Sequence, residues 1–258
     1  MIDIHSHVLF GIDDGAKNIE ESIELLKQAK SVGYTDIVCS SHFYIGRYEN
    51  RSYNQNFAEL EERVKKEKIG IRIYKGNEFA LDGKYLSYKN KIHTINDGKY
   101  LLVELCTLLF YPICRDFFKN LLQRGIIPIF AHVERYPHIK MEEFKELADM
   151  GVILQMNLRA AAEYSPKIEY MLTKGYISLI CTDAHNIARR NYDVSQYIEK
   201  LKLNIGEELF EQLTEINPRK IVNNEKIDIQ IKGEEYEKEG NNTIRNIFST
   251  LRNKLFRG

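Results

Sequence analysis

Seven short apolar runs recur along this chain, and a stretch with helical periodicity follows nearly every one. The runs span Met1–His5, Thr35–Ser40, Ile71–Lys75, Tyr100–Leu105, Ile126–Ala131, Val152–Met156 and Ile177–Cys181, and are rich in Ile, Val, Leu and Tyr. Several are apolar almost throughout, which suits parallel strands covered on both faces. Helical patterns cover Ile19–Val32, Tyr53–Lys68, Ile113–Arg124, Met141–Met150, Lys167–Lys174 and Asp193–Leu203. Gly33 closes the first as a C-cap, and Gly125, Gly151 and Gly175 each stand between a helix and the next strand, the residue that ends a helix with least strain. Repeated strand–helix units with short returns predict an α/β fold. Seven strands in series point to a barrel more than to an open sheet.

The polar residues at the ends of these runs carry the functional signal. His5 and His7 follow the first run, with Asp13-Asp14-Gly15 in the next loop. His42 follows the second run, Glu78 the third, and Glu104 ends the fourth. His132 follows the fifth, with Glu134-Arg135-Tyr136 behind it; Asn157 follows the sixth, and Asp183 and His185 the seventh. Steps from His7 through His42, Glu78, Glu104, His132 and Asn157 to Asp183 are 35, 36, 26, 28, 25 and 26 residues, about one strand–helix unit each. In a (βα) barrel all these ends meet at one rim, where such folds build active sites. His-x-His on a strand aims both imidazoles to one face. Taken singly, His-x-His, Asp-x-His or a loop Glu is ordinary; Glu104, inside an apolar run, needs a cation or donors to be tolerated. Imidazole with carboxylate and no thiolate suits Mn²⁺, Zn²⁺ or Fe²⁺ and argues against a structural zinc site.

Composition narrows the field further. Lys plus Arg equals Asp plus Glu at 37 each, so no protein-wide field attracts nucleic acid. No run of 18 apolar residues is present, and Met1-Ile2-Asp3-Ile4-His5 has neither the basic nor the apolar region of a secretory signal. A cytoplasmic location is expected. Cys39, Cys106, Cys114 and Cys181 form no C-x-x-C pair, and buried thiols are expected. The catalytic domain is placed at residues 1–225. Residues 226–258 are read as the acidic linker Glu234–Gly240 followed by an amphipathic helix over Thr243–Gly258, which carries Arg245, Arg252, Lys254 and Arg257 and no acid. Such a tail suits weak contact with an anionic membrane surface, or packing on its own barrel or a neighbouring subunit.

These motifs resemble the PHP (polymerase and histidinol phosphatase) superfamily. Within it they are similar to the bacterial capsular and exopolysaccharide manganese-dependent protein-tyrosine phosphatases. The likeness rests on MIDIHSHVLFGIDDG at 1–15, SSHF at 40–43, GNE at 76–78, LVEL at 102–105, PIFAHVERY at 128–136, CTDAHN at 181–186 and NPRKIV at 217–222. It implies a distorted (βα)7 TIM-like barrel holding three divalent ions, Mn²⁺ before Fe²⁺ or Zn²⁺. Carried over by position, the first ion takes His5, His7, Glu78 and Asp183; the second shares Glu78 and adds Glu104 and His132; the third takes Asp14, His42 and His185. Arg135 and Arg190 match the arginines that hold phosphate, and the resemblance leaves two sources for the leaving group's proton, a metal-bound water or the third-site region around His42 and Asp14. Two departures from the family pattern, Asn157-Leu158-Arg159-Ala160 and Arg189-Arg190-Asn191, touch no implied metal ligand but bear on substrate fit.

The resemblance implies in-line attack on phosphotyrosine by a hydroxide held between metals. The substrate would be a protein such as the tyrosine kinase of polysaccharide assembly. No cysteine opens a C-x5-R loop, because the sixth residues after the four cysteines are Ile45, Pro112, Asn120 and Ile187; a tyrosine phosphatase of this sequence depends on metal. Tyr44, Tyr48 and Tyr53 follow His42 and are candidates to flank the substrate ring. Three alternatives remain open: a phosphatase of a small phosphoester such as histidinol phosphate, a metal amidohydrolase, and an inactive metal-binding regulator. Glu104 stands where an amidohydrolase would carry a carbamylated lysine.

Overall fold

The computed structural model describes residues 1–105, 110–229 and 231. The strands are β1 (Ile2–Ser6), β2 (Asp36–Cys39), β3 (His42–Phe43), β4 (Arg72–Lys75), β5 (Glu78–Ala80), β6 (Tyr100–Glu104), β7 (Ile127–Phe130), β8 (Ile153–Asn157) and β9 (Ile177–Cys181). The main helices are α1 (Ile19–Ser31), α2 (Tyr53–Lys66), α3 (Tyr85–Tyr88), α4 (Tyr111–Gln123), α5 (Met141–Asp149), α6 (Leu158–Glu163), α7 (Pro166–Thr173), α8 (Ser195–Ile205), α9 (Glu207–Glu211) and α10 (Asn217–Val222). The fold is α/β with parallel strand pairing, as the apolar runs require.

The seven expected strand lines are present in order, but two are interrupted. β2 stops at Cys39 and resumes as β3 after Ser40-Ser41; β4 stops at Lys75 and resumes as β5 after Gly76-Asn77. Hydrogen bonding therefore divides into a sheet β1–β2–β4 and a sheet β3–β5–β6–β7–β8–β9. Between β9 and β1 a single parallel bridge, Ser6 to Ala184, stands in place of a ladder, with His7 N donating to Ala184 O at 2.7 Å. The circuit is thus barrel-like without continuous closure.

The interruptions are held by side chains. Ser6 N donates to Ser40 Oγ at 2.8 Å, and Glu78 N donates to Ser40 O at 2.9 Å. A Cβ on Gly76 would lie 2.5 Å from Val38 Cγ1, so only glycine lets the chains approach here. Tyr53 is fully buried and its hydroxyl donates to Cys39 O at 2.6 Å. The expectation that Tyr53 lines the entrance is thereby corrected: it staples the broken strands from beneath.

Side-chain alternation sorts the core into two layers. Ile2, Ile4, Val38, Tyr100, Leu102, Ile129, Ala131, Ile153, Leu179 and Cys181 fill the interior, plugged at one end by Ile221, Val222 and Ile227. The other parity, including Ile37, Leu101, Val103, Phe130, Leu154 and Ile180, packs outward against the helices. Glu104, Gln155, Asn157 and Asp183 share parity with the interior residues Leu102, Ile153 and Cys181, so they continue the inward rows above the apolar plug. α1 shows the outer layer's logic. Asn18 caps it by accepting from Glu21 N at 2.9 Å, worth about 1 kcal/mol, and Leu25, Leu26 and Ala29 are fully buried. Losing Leu26 to alanine would cost about 2–5 kcal/mol.

Ile229 and Ile231 pack against the core beside buried Ile227. The expected linker Glu234–Gly240 and tail helix Thr243–Gly258 lie outside the described residues. No helix among the described residues is long and apolar enough to cross a membrane.

Candidate metal centre

The nine residues singled out from the strand ends converge at one rim. Glu104 ends β6, while His42 and Glu78 open β3 and β5, so the strand breaks set the level of two of them. His132 and Asp183 follow β7 and β9 at left-handed angles, φ +34° and +57°. The backbone turns their side chains back over the opening. The Asp13-Asp14-Gly15 loop folds against β1 so closely that a Cβ on Gly15 would meet His7 O at 2.2 Å.

Glu78 is the hub. Its Oε2 lies 3.3 Å from His5 Nε2, 3.2 Å from His7 Nε2 and 3.0 Å from His42 Nδ1, and its Oε1 lies 2.8 Å from His132 Nε2. Asp183 Oδ1 stands 3.3 Å from His5 Nε2 and 3.5 Å from His185 Nδ1. Glu104 Oε1 is 3.1 Å from His42 Nδ1. Asp14 Oδ1 reaches His42 Nε2 at 3.5 Å and His185 Nε2 at 3.7 Å. Four overlapping groups with ligand atoms within 4.8 Å result: His7, Asp14, His42 and His185; His5, Glu78 and His132; His5, His7 and Asp183; His42, Glu78 and Glu104. The three-ion division carried over from the resemblance is blurred here: His7 joins the Asp14 group, and His42 joins Glu104.

Cations fit this cluster. His5 Nε2, His7 Nε2, His42 Nδ1, His185 Nε2 and Glu104 Oε1 are buried and make no hydrogen bond, a costly state unless something positive completes them. Three rings are fixed from behind. His5 Nδ1 meets Gln155 Oε1 at 3.1 Å, His7 Nδ1 meets Asp13 Oδ2 at 2.7 Å, and His185 Nδ1 meets Asp183 O at 3.0 Å. An acceptor at Nδ1 holds the proton there and leaves the Nε2 lone pair for a metal.

The electrostatics of the cation-free cluster follow from crowding. Burial would depress the His5 imidazole, but Glu78 and Asp183 outweigh it and hold its pKa up at about 9. The same contest, won by Glu78 and Glu104, carries His42 up to about 11. His185 goes down to about 2, through burial and the neighbouring His7. Burial would raise the Glu78 carboxyl, yet His5 and His42 hold it well below the usual carboxylate range. Protons here do the neutralising that cations would otherwise do.

Arg135 and Arg190 both reach the rim, and both pair with Asp183: Arg135 Nη2 with Oδ2, and Arg190 Nη2 with Oδ1 at 2.5 Å. Asn157 Nδ2 donates to the same carboxylate at 3.0 Å. Tyr44 and Tyr48 flank His42, with ring centroids 5.1 and 6.2 Å away. The thiols of Cys39 and Cys181 are buried in strands and pushed up in pKa by that burial, so neither is a thiolate nucleophile.

A model of proteins of capsular polysaccharide synthesis, CpsB/CapC, matches residues 1–223. This chain belongs to the CpsB/CapC family. It is 31% identical over 238 residues to the tyrosine-protein phosphatase CpsB of Streptococcus pneumoniae, covering 86% of this chain and 98% of that protein. To the putative tyrosine-protein phosphatase CapC of Staphylococcus aureus it is 32% identical over 247 residues, covering 92% and 96%. The fold is similar to a crystal structure from the pair YwqE of Bacillus subtilis and CpsB of Streptococcus pneumoniae, described as unique metal-dependent tyrosine phosphatases. The TM-score is 0.82 at 26% identity, covering 92% of this chain and all of the other.

Two contributors within this CpsB/CapC chain were not assigned from sequence. Asp13 is buried behind His7 and also accepts from His42 N at 2.7 Å. Gln155 links His5 to the backbone of His132, whose N donates to its Oε1 at 2.8 Å. A His-x-His pair followed by a carboxylate doublet was the available signal for Asp13. Gln155 gave one only through its inward parity on β8.

Proposed function

We propose that this chain is a manganese-dependent protein-tyrosine phosphatase acting in capsule or exopolysaccharide synthesis, with a tyrosine kinase of polysaccharide assembly as substrate. The observation that carries this reading is the ring of unpartnered imidazole nitrogens around Glu78 beside two arginines. The names of the two relatives and of the similar crystal structure support it. His5, His7, Asp14, His42, Glu78, Glu104, His132, Asp183 and His185 would hold three divalent ions. Such ions supply Lewis acidity and an activated water at neutral pH.

The chain's own residues do the rest. Arg135 and Arg190 side chains are 44% and 39% exposed, and each guanidinium has five N–H donors. Pairing with Asp183 leaves donors free to grip the non-bridging oxygens of a phosphate in fork geometry and to follow charge into the transition state. Asp183 thereby positions both. His42 and Asp14 lie on the accessible side of the cluster, 12% and 54% exposed; they, or a water on the ions, would protonate the departing oxygen. A phenolate leaves with a pKa near ~10, so it demands less acid assistance than an alkoxide. The protein would work in the cytoplasm, and binding of a reporter carrying residues 240–258 to anionic vesicles tests whether the tail makes weak contact with a membrane surface or packs on protein instead.

Hydrolysis of a phosphotyrosine peptide with added Mn²⁺, with and without chelator, tests the reading. Activity that chelation and His5→Ala both abolish is expected; activity indifferent to chelator would sink it. Metal analysis of purified protein identifies the ion. Higher kcat/KM on histidinol phosphate than on phosphotyrosine peptide would favour the small-phosphoester alternative.

A further inference from the structure

The two segments that depart from the family pattern, 157–160 and 189–191, meet in the structure. Arg190 stands on the turn between β9 and α8, which leaves the centre at His185 and returns to the core at buried Tyr192. The turn is folded on itself. Arg190 O accepts from His185 N at 2.6 Å and from Asn186 N at 3.1 Å. Asn186 Oδ1 accepts from Ala188 N at 3.1 Å and Arg189 N at 2.9 Å, and Asn191 Nδ2 donates to Ile187 O at 3.2 Å. Side chains from β1, α1 and α6 reach this turn. The Tyr192 hydroxyl donates to Asp3 Oδ2 at 2.9 Å, and Ile187 N donates to Glu21 Oε1 at 3.5 Å. Arg159 of α6 brings its Nη2 within hydrogen-bond reach of three oxygens: Asn191 Oδ1 at 3.1 Å, Asn191 O at 3.3 Å and Asp193 O at 3.3 Å. Its guanidinium carbon lies 4.7 Å from the ring centroid of Tyr197 on α8, so stacking steadies the fork while Nη2 serves the turn. Among the described residues, every hydrogen bond of the Arg159 side chain goes to this turn.

We propose that Arg159 is a positioning residue for phosphate binding: by holding Asn191 it fixes the backbone beside Arg190 and keeps the Arg190 guanidinium over the centre. The inference rests on the phosphatase reading and on Arg190 as a phosphate holder within it. The Arg190 side chain is 39% exposed and makes its ion pair with Asp183. A long side chain on an irregular turn is aimed by its backbone, and a looser turn lets its fork sample directions that no longer match a phosphate. Reordering it on binding then lowers affinity; a clamp already in place avoids that loss. The buried Tyr192 anchor and the turn's internal hydrogen bonds do not involve Arg159, so removing Arg159 loosens the turn without unfolding it. An arginine in one departing segment thus serves an asparagine in the other, and the two departures act as one device. Losing a clamp of this strength is expected to cost about fivefold in phosphate affinity.

The dissociation constant of inorganic phosphate, measured by calorimetry on the full-length, Mn²⁺-loaded protein, tests this without turnover. Arg159→Ala is expected to weaken phosphate about fivefold, with bound metal unchanged. In an Arg190→Ala background the same change should alter phosphate affinity by less than about twofold, because the clamp then has no guanidinium to aim. Asn191→Ala removes one acceptor of the clamp and should give a smaller loss in the same direction; it carries the test if Arg159→Ala folds poorly. Trypsin supplies a readout independent of phosphate and metal: in the metal-free protein, cleavage after Arg189 or Arg190 should be faster in Arg159→Ala than in the wild type. Equal weakening of phosphate by Arg159→Ala in both backgrounds, weakening in neither, or cleavage of the turn as slow as in the wild type overturns the proposal even when the wild type hydrolyses phosphotyrosine. A wild type that neither binds phosphate nor hydrolyses phosphotyrosine peptide in any divalent metal overturns the underlying reading instead.

Discussion

At the N-terminal ends of the strands, Asp36 is fully buried and both its oxygens are met: by Arg72 Nε at 2.7 Å, Arg219 Nη1 at 3.1 Å, the Tyr74 hydroxyl at 2.9 Å and the Thr35 hydroxyl at 2.7 Å. At the C-terminal ends, four imidazole rings surround buried Glu78 while the Nε2 atoms of His5, His7 and His185 make no hydrogen bond. Both ends bury carboxylate, and both need positive charge to do so. The base takes it from arginines covalently part of the chain. At the rim Arg135 and Arg190 reach only Asp183, and Glu78 is left to imidazoles whose unpartnered nitrogens fit cations. What separates a structural charge cluster from a functional one in this molecule is who supplies the counter-charge.

Exchanging partners at each end probes that contrast. The largest effect is expected from Glu78→Gln, which removes the carboxylate common to four imidazoles: no measurable turnover of phosphotyrosine peptide, and reduced metal content by elemental analysis. Asp13→Asn touches the rim through the His7 ring and the His42 backbone N–H, so it should weaken metal binding by about 10–100-fold, read by titration against a competing chelator. At the base, Asp36→Ala should leave kcat/KM unchanged and lower stability by about 1.5–3 kcal/mol, measured by urea unfolding. Loss of activity in the cation-loaded Asp36 variant would erase the division of labour.

The smallest and most diagnostic difference is in pH dependence. Burial would raise the Asp36 carboxyl, but hydrogen bonds from Arg72, Thr35 and Tyr74, with the Arg219 charge, hold it below the usual value. Its contribution to stability is therefore present above the unfolded pKa near ~3.9 and lost as pH falls through the lower folded value. The rim runs oppositely. His5 at about 9 and His42 at about 11 are raised, so their contribution in the cation-free protein is complete below the unfolded pKa of ~6.5 and lost as pH rises through the folded values. Metal uptake displaces those protons, so apparent affinity should climb with pH across the same window. Calorimetry in buffers of differing ionisation enthalpy, showing proton release at pH 7, checks this; uptake without release contradicts it.

Much of this was legible in the sequence because parallel strands buried on both faces leave polar residues few places to sit. Glu104 and Asp183 stood out as polar breaks at the ends of apolar runs, and the even spacing of one strand–helix unit tied them to His42 and His132. The interruptions at Ser40-Ser41 and Gly76-Asn77 were not legible, since an apolar run records burial and not the continuity of a ladder. Tyr53 read as one of three loop tyrosines, but its place at the start of α2 turns it inward, where its hydroxyl finds Cys39 O. Asp13 and Asp14 are adjacent and chemically identical; only the fold of the loop sends one behind His7 and the other toward His42 and His185.

The left-handed backbone at His132 and Asp183 bears on how this protein would drift once freed from selection. An L-residue in that conformation carries about 1–2 kcal/mol of strain, which glycine avoids and asparagine tolerates well. His132→Asn, Asp183→Asn and Asp183→Gly each lie a single base change away. A lineage that no longer needed hydrolysis would meet, at two positions of the imidazole–carboxylate cluster, substitutions that disarm the centre and relax the backbone together. Relatives that have lost the chemistry should therefore be recognised by asparagine or glycine at these two positions, and should melt at higher temperature than the cation-free active protein.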